Sequence, residues 1–135
     1  MIGIVVVTHA GLADELLQAA ELILGPLKGV ETVSIDREMS LEVAKVKLHQ
    51  AVALAGKDGD GTIILTDLFG GTPTNISAEF LQEGVVEILT GVNLPMLIKG
   101  AGARINQDLD GLATLLKDYA KNAIIRPSDL LRSAR

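Results

Sequence analysis

The sequence contains no cysteine and no tryptophan, and its aromatic residues are Phe69, Phe80 and Tyr119. Without cysteine there are no disulfides and no thiolate metal ligands, a composition that fits a reducing compartment. Acidic side chains outnumber basic ones, 17 against 12, for a formal net charge of −5. Binding of nucleic acid needs a basic stripe, and binding of single strands needs stacking rings as well. Both are missing, so no nucleic acid is expected as partner. No apolar run approaches the roughly 20 residues of a membrane span. The N-terminus shows neither a basic region nor a cleavage site. The expectation is a cytoplasmic protein with no direct membrane insertion.

What is present is aliphatic and periodic. The 135 residues are 48% hydrophobic, enough for one folded domain spanning residues 1–135. The chain is organised around its first stretch, MIGIVVVTHAGL, where a β-branched run ends abruptly at Thr8-His9. Such a run predicts a strand buried on both faces. A helix follows from Leu12 to the Gly25-Pro26 stop, then a strand over Val30–Ile35. Ser40 is placed to cap a helix over Leu41–Ala55, and Thr62–Thr66 reads as a third buried strand ending at Asp67. Thr72 is expected as the cap of the next helix, with Pro73 at its first position, running to about Glu83. Val85–Leu89 makes a fourth strand, Leu94–Lys99 a short helix, Gly100–Asn106 a loop, and Leu109–Ala120 an amphipathic helix. Ala123–Arg126 is a candidate short strand, and Ser128 a cap for a last turn.

Alternation of strands and helices at this spacing predicts an α/β fold. It is an open, mainly parallel sheet of order 2-1-3-4 with helices on both faces. In such sheets ligands bind outside the carboxyl ends of the strands, where the strand order reverses. Here that point lies between strands one and three, which end at His9 and Asp67. A carboxylate that accepts the Nδ1 hydrogen of an imidazole fixes its tautomer and leaves Nε2 as a nucleophile. A lone imidazole, with a pKa of about 6.5, is largely neutral at neutral pH. Gly70-Gly71 lets backbone approach closely, and the helix start at Thr72-Pro73 offers N–H groups and a positive dipole end, which favour phosphate.

Each of these residues also has a plain structural reading. His9 can be a solvated strand-end residue, Asp67 a turn former, and Gly70-Gly71 an ordinary turn. Their joint placement at one crevice is what favours chemistry. Other features carry less. His49 lies on a helix away from every strand end. The Gly56–Gly61 cluster lacks the further ligands of a calcium loop. Gly100-Ala101-Gly102 lacks the third glycine of a dinucleotide fingerprint. Neither a Walker A sequence nor a serine nucleophile elbow occurs, and a receiver domain would need acidic residues where Thr8-His9 stands. No metal and no cofactor are expected.

Three segments in this order, VVVTHAGLADELLQAAELILG, IILTDLFGGTPTNISA and ILTGVNLPMLI, resemble the IIA component of the mannose family of the bacterial sugar phosphotransferase system. The resemblance covers residues 2–99 and weakens through the C-terminal helix. It implies a phosphoryl carrier in which His9 takes a phosphoryl group from phosphorylated HPr and passes it to a IIB component. It further implies that Asp67 orients His9, that Thr72 sits near the phosphoryl group, and that Gly70, Gly71 and Asn75 form the loop around them. Members are usually homodimers with an exchanged C-terminal strand, for which Ala123–Arg126 is the candidate. The sequence ends at Arg135 with no IIB segment, so the acceptor is expected to be a separate protein. The alternative is a regulatory module whose phosphorylation state controls a partner instead of sugar uptake. The phosphotransferase subunit of dihydroxyacetone kinase also places a histidine after its first strand, but the Gly-Gly-Thr-Pro-Thr-Asn loop fits the mannose family better.

Overall fold

The computed structural model describes residues 1–133. Among them four strands, β1 (Gly3–His9), β2 (Val30–Ile35), β3 (Thr62–Thr66) and β4 (Val86–Leu89), form one sheet of order β2-β1-β3-β4. All three pairings are parallel. The helices are α1 (Leu12–Leu24), α2 (Leu41–Ala55), α3 (Gly71–Ala78), α4 (Leu94–Ala103), α5 (Leu109–Asn122) and α6 (Pro127–Ser133). The expected α/β architecture and strand order are those observed.

Period-two alternation along β1 and β3 divides the core. Ile4, Val6, Ile63 and Leu65 face α1, α4 and α5, where they meet Ala13, Leu97, Leu112 and Leu116. Val5, Val7 and Ile64 face α2 and α3, where they meet Ala44, Leu48, Ala51 and Ile76. The middles of these two strands, Ile4–Val7 and Ile63–Leu65, are therefore apolar at every position, because neither face of the sheet meets water there. Gly3 is required by this packing. A Cβ there would stand 2.1 Å from the Ala55 carbonyl oxygen, so only glycine lets α2 end against the start of β1.

The amino-terminal edge of the sheet is held by Arg104, just beyond α4 and nearly inaccessible to solvent. Its guanidinium donates to the carbonyls of Ile2, Lys28, Gly29 and Ala101, tying β1, the approach to β2 and α4 together. Burial lowers its pKa from the ordinary guanidinium value. Among the described residues, no helix is long and apolar enough to cross a membrane.

Several local expectations are corrected. Ala123–Arg126 is not a strand: Ala123 caps α5, and a short irregular link leads to α6, which starts at Pro127, ahead of Ser128. Isoleucines there suggest β structure, but within the protomer that segment pairs with no strand of the sheet. The helix at Leu94 does not stop at Lys99 but runs on to Ala103. Gly100 belongs to it because a Cβ there would crowd Leu116 Cδ1 at 3.1 Å, which makes it a packing glycine. Helix α3 ends at Ala78, short of Glu83, and begins earlier than Thr72.

Candidate active site

At the carboxyl edge of the sheet, β1 delivers His9 and the chain turns sharply. Thr8, fully buried, accepts a hydrogen bond on Oγ1 from the Ala13 N–H at 2.8 Å. That bond secures the first turn of α1, whose own cap position is Gly11 with no side chain to offer. Ala10 takes a left-handed φ of 50°, and its N–H donates to the Ile35 carbonyl at 2.8 Å. The turn after His9 is thus fastened to α1 on one side and to β2 on the other.

Strand β3 runs beside β1 in parallel register, with Val7 opposite Thr66, so Asp67 emerges next to His9. One oxygen of Asp67, Oδ2, lies 2.9 Å from both the His9 N–H and His9 Nδ1. A carboxylate only accepts, so the ring hydrogen stands on Nδ1 and the lone pair on Nε2. The other oxygen, Oδ1, is buried with no hydrogen-bond partner among the described residues. The histidine side chain is 50% exposed and the aspartate 13%, so the carboxylate stands behind the ring and the ring faces outward.

The next loop wraps this pair. Gly70 and Gly71 have φ of 84° and 78°, a region that L residues with a side chain rarely enter. These two glycines turn the chain into α3 at Gly71, with Gly70 as cap and no side-chain cap bond. Thr72 is therefore the second residue of the helix and not its cap, and Pro73 is the third. The two glycines set the turn into the helix without a side-chain cap, so the Thr72 hydroxyl is not used as one. Gly71 lies close under the imidazole: a Cβ there would meet His9 Cε1 at 3.2 Å and Nε2 at 3.4 Å. First-turn N–H groups of a helix have no partner inside it, and those of Gly71 and Thr72 belong to the turn that starts beside the imidazole. Asn75 is exposed further along α3 and is not among the residues that line the cleft beside His9.

Two groups not singled out in the sequence complete the surroundings. Thr74 Oγ1 donates to the Leu68 carbonyl at 2.5 Å and lies 2.8 Å from Thr66 Oγ1, a chain that pins the loop just past Asp67. A cleft of about 530 Å³ opens beside the imidazole, lined by His9, Asp36, Arg37, Met39, Ser40 and Thr72 among others. A second cleft, about 570 Å³, lies at the opposite edge near Arg104, Asp108 and Asp110, where the guanidinium is already engaged by carbonyls.

A half-exposed imidazole is thus backed by a carboxylate and lies beside the start of a helix, an arrangement that suits contact with an anion. Comparison with known proteins shows the family. The model of the EIIA-man family, described as the PTS system fructose IIA component, matches residues 3–117. This chain belongs to that family. As an EIIA chain of the mannose family it is 32% identical over 114 residues to the sorbose-specific EIIA component of Lacticaseibacillus casei, covering 84% of this chain and 81% of the relative. It is 28% identical over 124 residues to the fructose-specific EIIA component of Bacillus subtilis, covering 91% and 84%. Its fold is similar to that of a phosphotransferase system EIIA component from Streptococcus agalactiae, with a TM-score of 0.85 and 29% identity over 96% of this chain and 99% of that one. An EIIA chain is a component of the sugar phosphotransferase system, which places this protein among phosphotransferase components.

Proposed function

We propose that this EIIA chain is a phosphoryl carrier in which His9 Nε2 accepts a phosphoryl group from phosphorylated HPr and passes it to a IIB component. The observation that carries the reading is the placement of Asp67 Oδ2 at 2.9 Å from His9 Nδ1, which turns Nε2 outward as the nucleophile. The Nε2 lone pair attacks phosphorus in line. The new N–P bond forms as the donor's N–P bond breaks, and the bonding pair returns to the donor nitrogen. The Nδ1 hydrogen stays on the ring, against Asp67, which stabilises the positive charge the ring acquires. N–H groups of Gly71 and Thr72, with the Thr72 hydroxyl, receive the phosphoryl oxygens, a task that Gly70 supports by setting the turn. Asn75, exposed one turn further along α3, belongs with Gly70 and Gly71 to the segment around the phosphoryl group.

We propose further that the protein acts in the cytoplasm as a homodimer. Exposed Ile124, Ile125, Leu130 and Leu131, gathered at the C-terminal end, support a second copy as their cover. Sedimentation equilibrium, with dissociation on Ile125→Glu, tests that part.

The carrier reading is tested by incubation with phosphoenolpyruvate, enzyme I and HPr, followed by intact mass. A single acid-labile phosphoryl adduct is expected, absent in His9→Ala, whose fold persists by circular dichroism. Labelling of His9→Ala at the parent level would overturn it.

A further inference from the structure

We propose that Arg37, on the loop between β2 and α2, binds the phosphoryl group carried by His9. This rests on the reading of His9 as the acceptor and adds the residue that neutralises the anion. A transferred phosphoryl group brings about two negative charges, and sites for it normally supply a cation. The loops that follow β1 and β3 contain no lysine or arginine. The cation comes from a third strand end. Parallel pairing sets His9 opposite Ile35, about 4.8 Å away across the sheet, and Arg37 follows two residues later. Arg37 and His9 line the same cleft, and Arg37 is its one Lys or Arg.

The loop that carries Arg37 is held firmly beside the cleft. Asp36 Oδ1 accepts from the N–H groups of Glu38 at 3.1 Å and Met39 at 3.0 Å, closing a tight turn around Arg37. Met39 packs into the core beneath the turn, and Ser40 caps α2 through the Val43 N–H. The Ala10 N–H bond to Ile35 fastens the same strand end to the histidine turn. Asp36, the other charged residue of this rim, already has its carboxylate engaged by those two N–H groups. Arg37 itself makes no ion pair among the described residues, so its fork is open to a phosphoryl oxygen.

The test uses the full chain phosphorylated through phosphoenolpyruvate, enzyme I and HPr. Two readouts are taken: the rate at which His9 is labelled, and the pH titration of the phosphoryl ³¹P resonance. Arg37→Gln is expected to slow labelling about tenfold and to move the ³¹P titration to higher pH, because a nearby cation favours the dianion. Arg37→Lys should recover the titration in part, keeping charge without the planar fork. Parent-like labelling and an unmoved titration in Arg37→Gln would overturn the proposal. Slower labelling with an unmoved titration would also overturn it, by placing Arg37 in docking of the donor protein. Absence of any His9 adduct on the parent protein would instead overturn the carrier reading, and this inference with it.

Discussion

Asp67 Oδ2 receives two hydrogen bonds from His9, one from its backbone N–H and one from its ring, each 2.9 Å long. A single oxygen thereby fixes both the strand end and the imidazole. Its twin, Oδ1, is buried without a partner among the described residues, which makes the site intolerant of an amide. In Asp67→Asn the Nδ2 group either occupies the Oδ1 position with two orphaned donors or faces the two donors of His9. Phosphorylation of His9 is expected to slow about 100-fold, with a stability loss of about 1–3 kcal/mol. Stopped quench labelling and urea unfolding check the two numbers, and a parent-like labelling rate would remove Asp67 from the mechanism.

Gly71→Ala tests the loop beneath the ring. Its φ of 78° costs an L residue about 1–2 kcal/mol, and its Cβ would press on His9 Cε1 at 3.2 Å. The ring is held at Nδ1 and has little freedom to yield. Labelling should fall by about tenfold or more, and the His9 ring resonances should shift. Parent-like resonances would show that the loop moves instead.

Thr74→Val removes a hydroxyl that serves Leu68 and Thr66 together. Thr66 is fully buried, so its own hydroxyl loses that partner. A loss of about 1–2 kcal/mol is expected by denaturant unfolding, with slower labelling as Asp67 loses its fixed position. Thr74→Ser should restore both, since the hydroxyl alone carries the effect.

Arg104→Ala separates stability from activity. Four carbonyls lose their donor at the edge far from His9, for an expected loss of about 3 kcal/mol. Labelling per folded molecule should stay at the parent level. A selective fall in labelling would mean that the two edges of the sheet are coupled.

Much of this architecture was legible because burial and chain-breaking agree along the sequence. Val30–Ile35, Leu41–Ala55 and Thr62–Thr66 come out with the observed limits, since each is an apolar pattern bounded by a cap or by glycine. His9 and Asp67 were legible as a pair once the strand order was, because the order alone makes their strand ends adjacent. Glycine was misread at two places for opposite reasons. At Gly70-Gly71 positive φ turns the chain into the helix one residue before Thr72, with no side-chain cap, and at Gly100 the missing Cβ makes room for Leu116 inside a helix. Arg104 escaped notice because a charge in an expected loop gives no sign that four carbonyls surround it. Arg37 escaped because it stands two residues past the end of β2 on a short turn that carries no motif, although the order 2-1-3-4 already sets β2 beside β1.

The imidazole is half-exposed. Asp67 backs it and Gly71 underlies it, so any protein that reaches Nε2 must come through the same doorway as the one before. Under the carrier reading, donor and acceptor cannot be seated together, and the protein works as a turnstile. Its loaded fraction then follows the ratio of phosphorylated donor to empty acceptor, which lets so small a chain report the traffic passing through it.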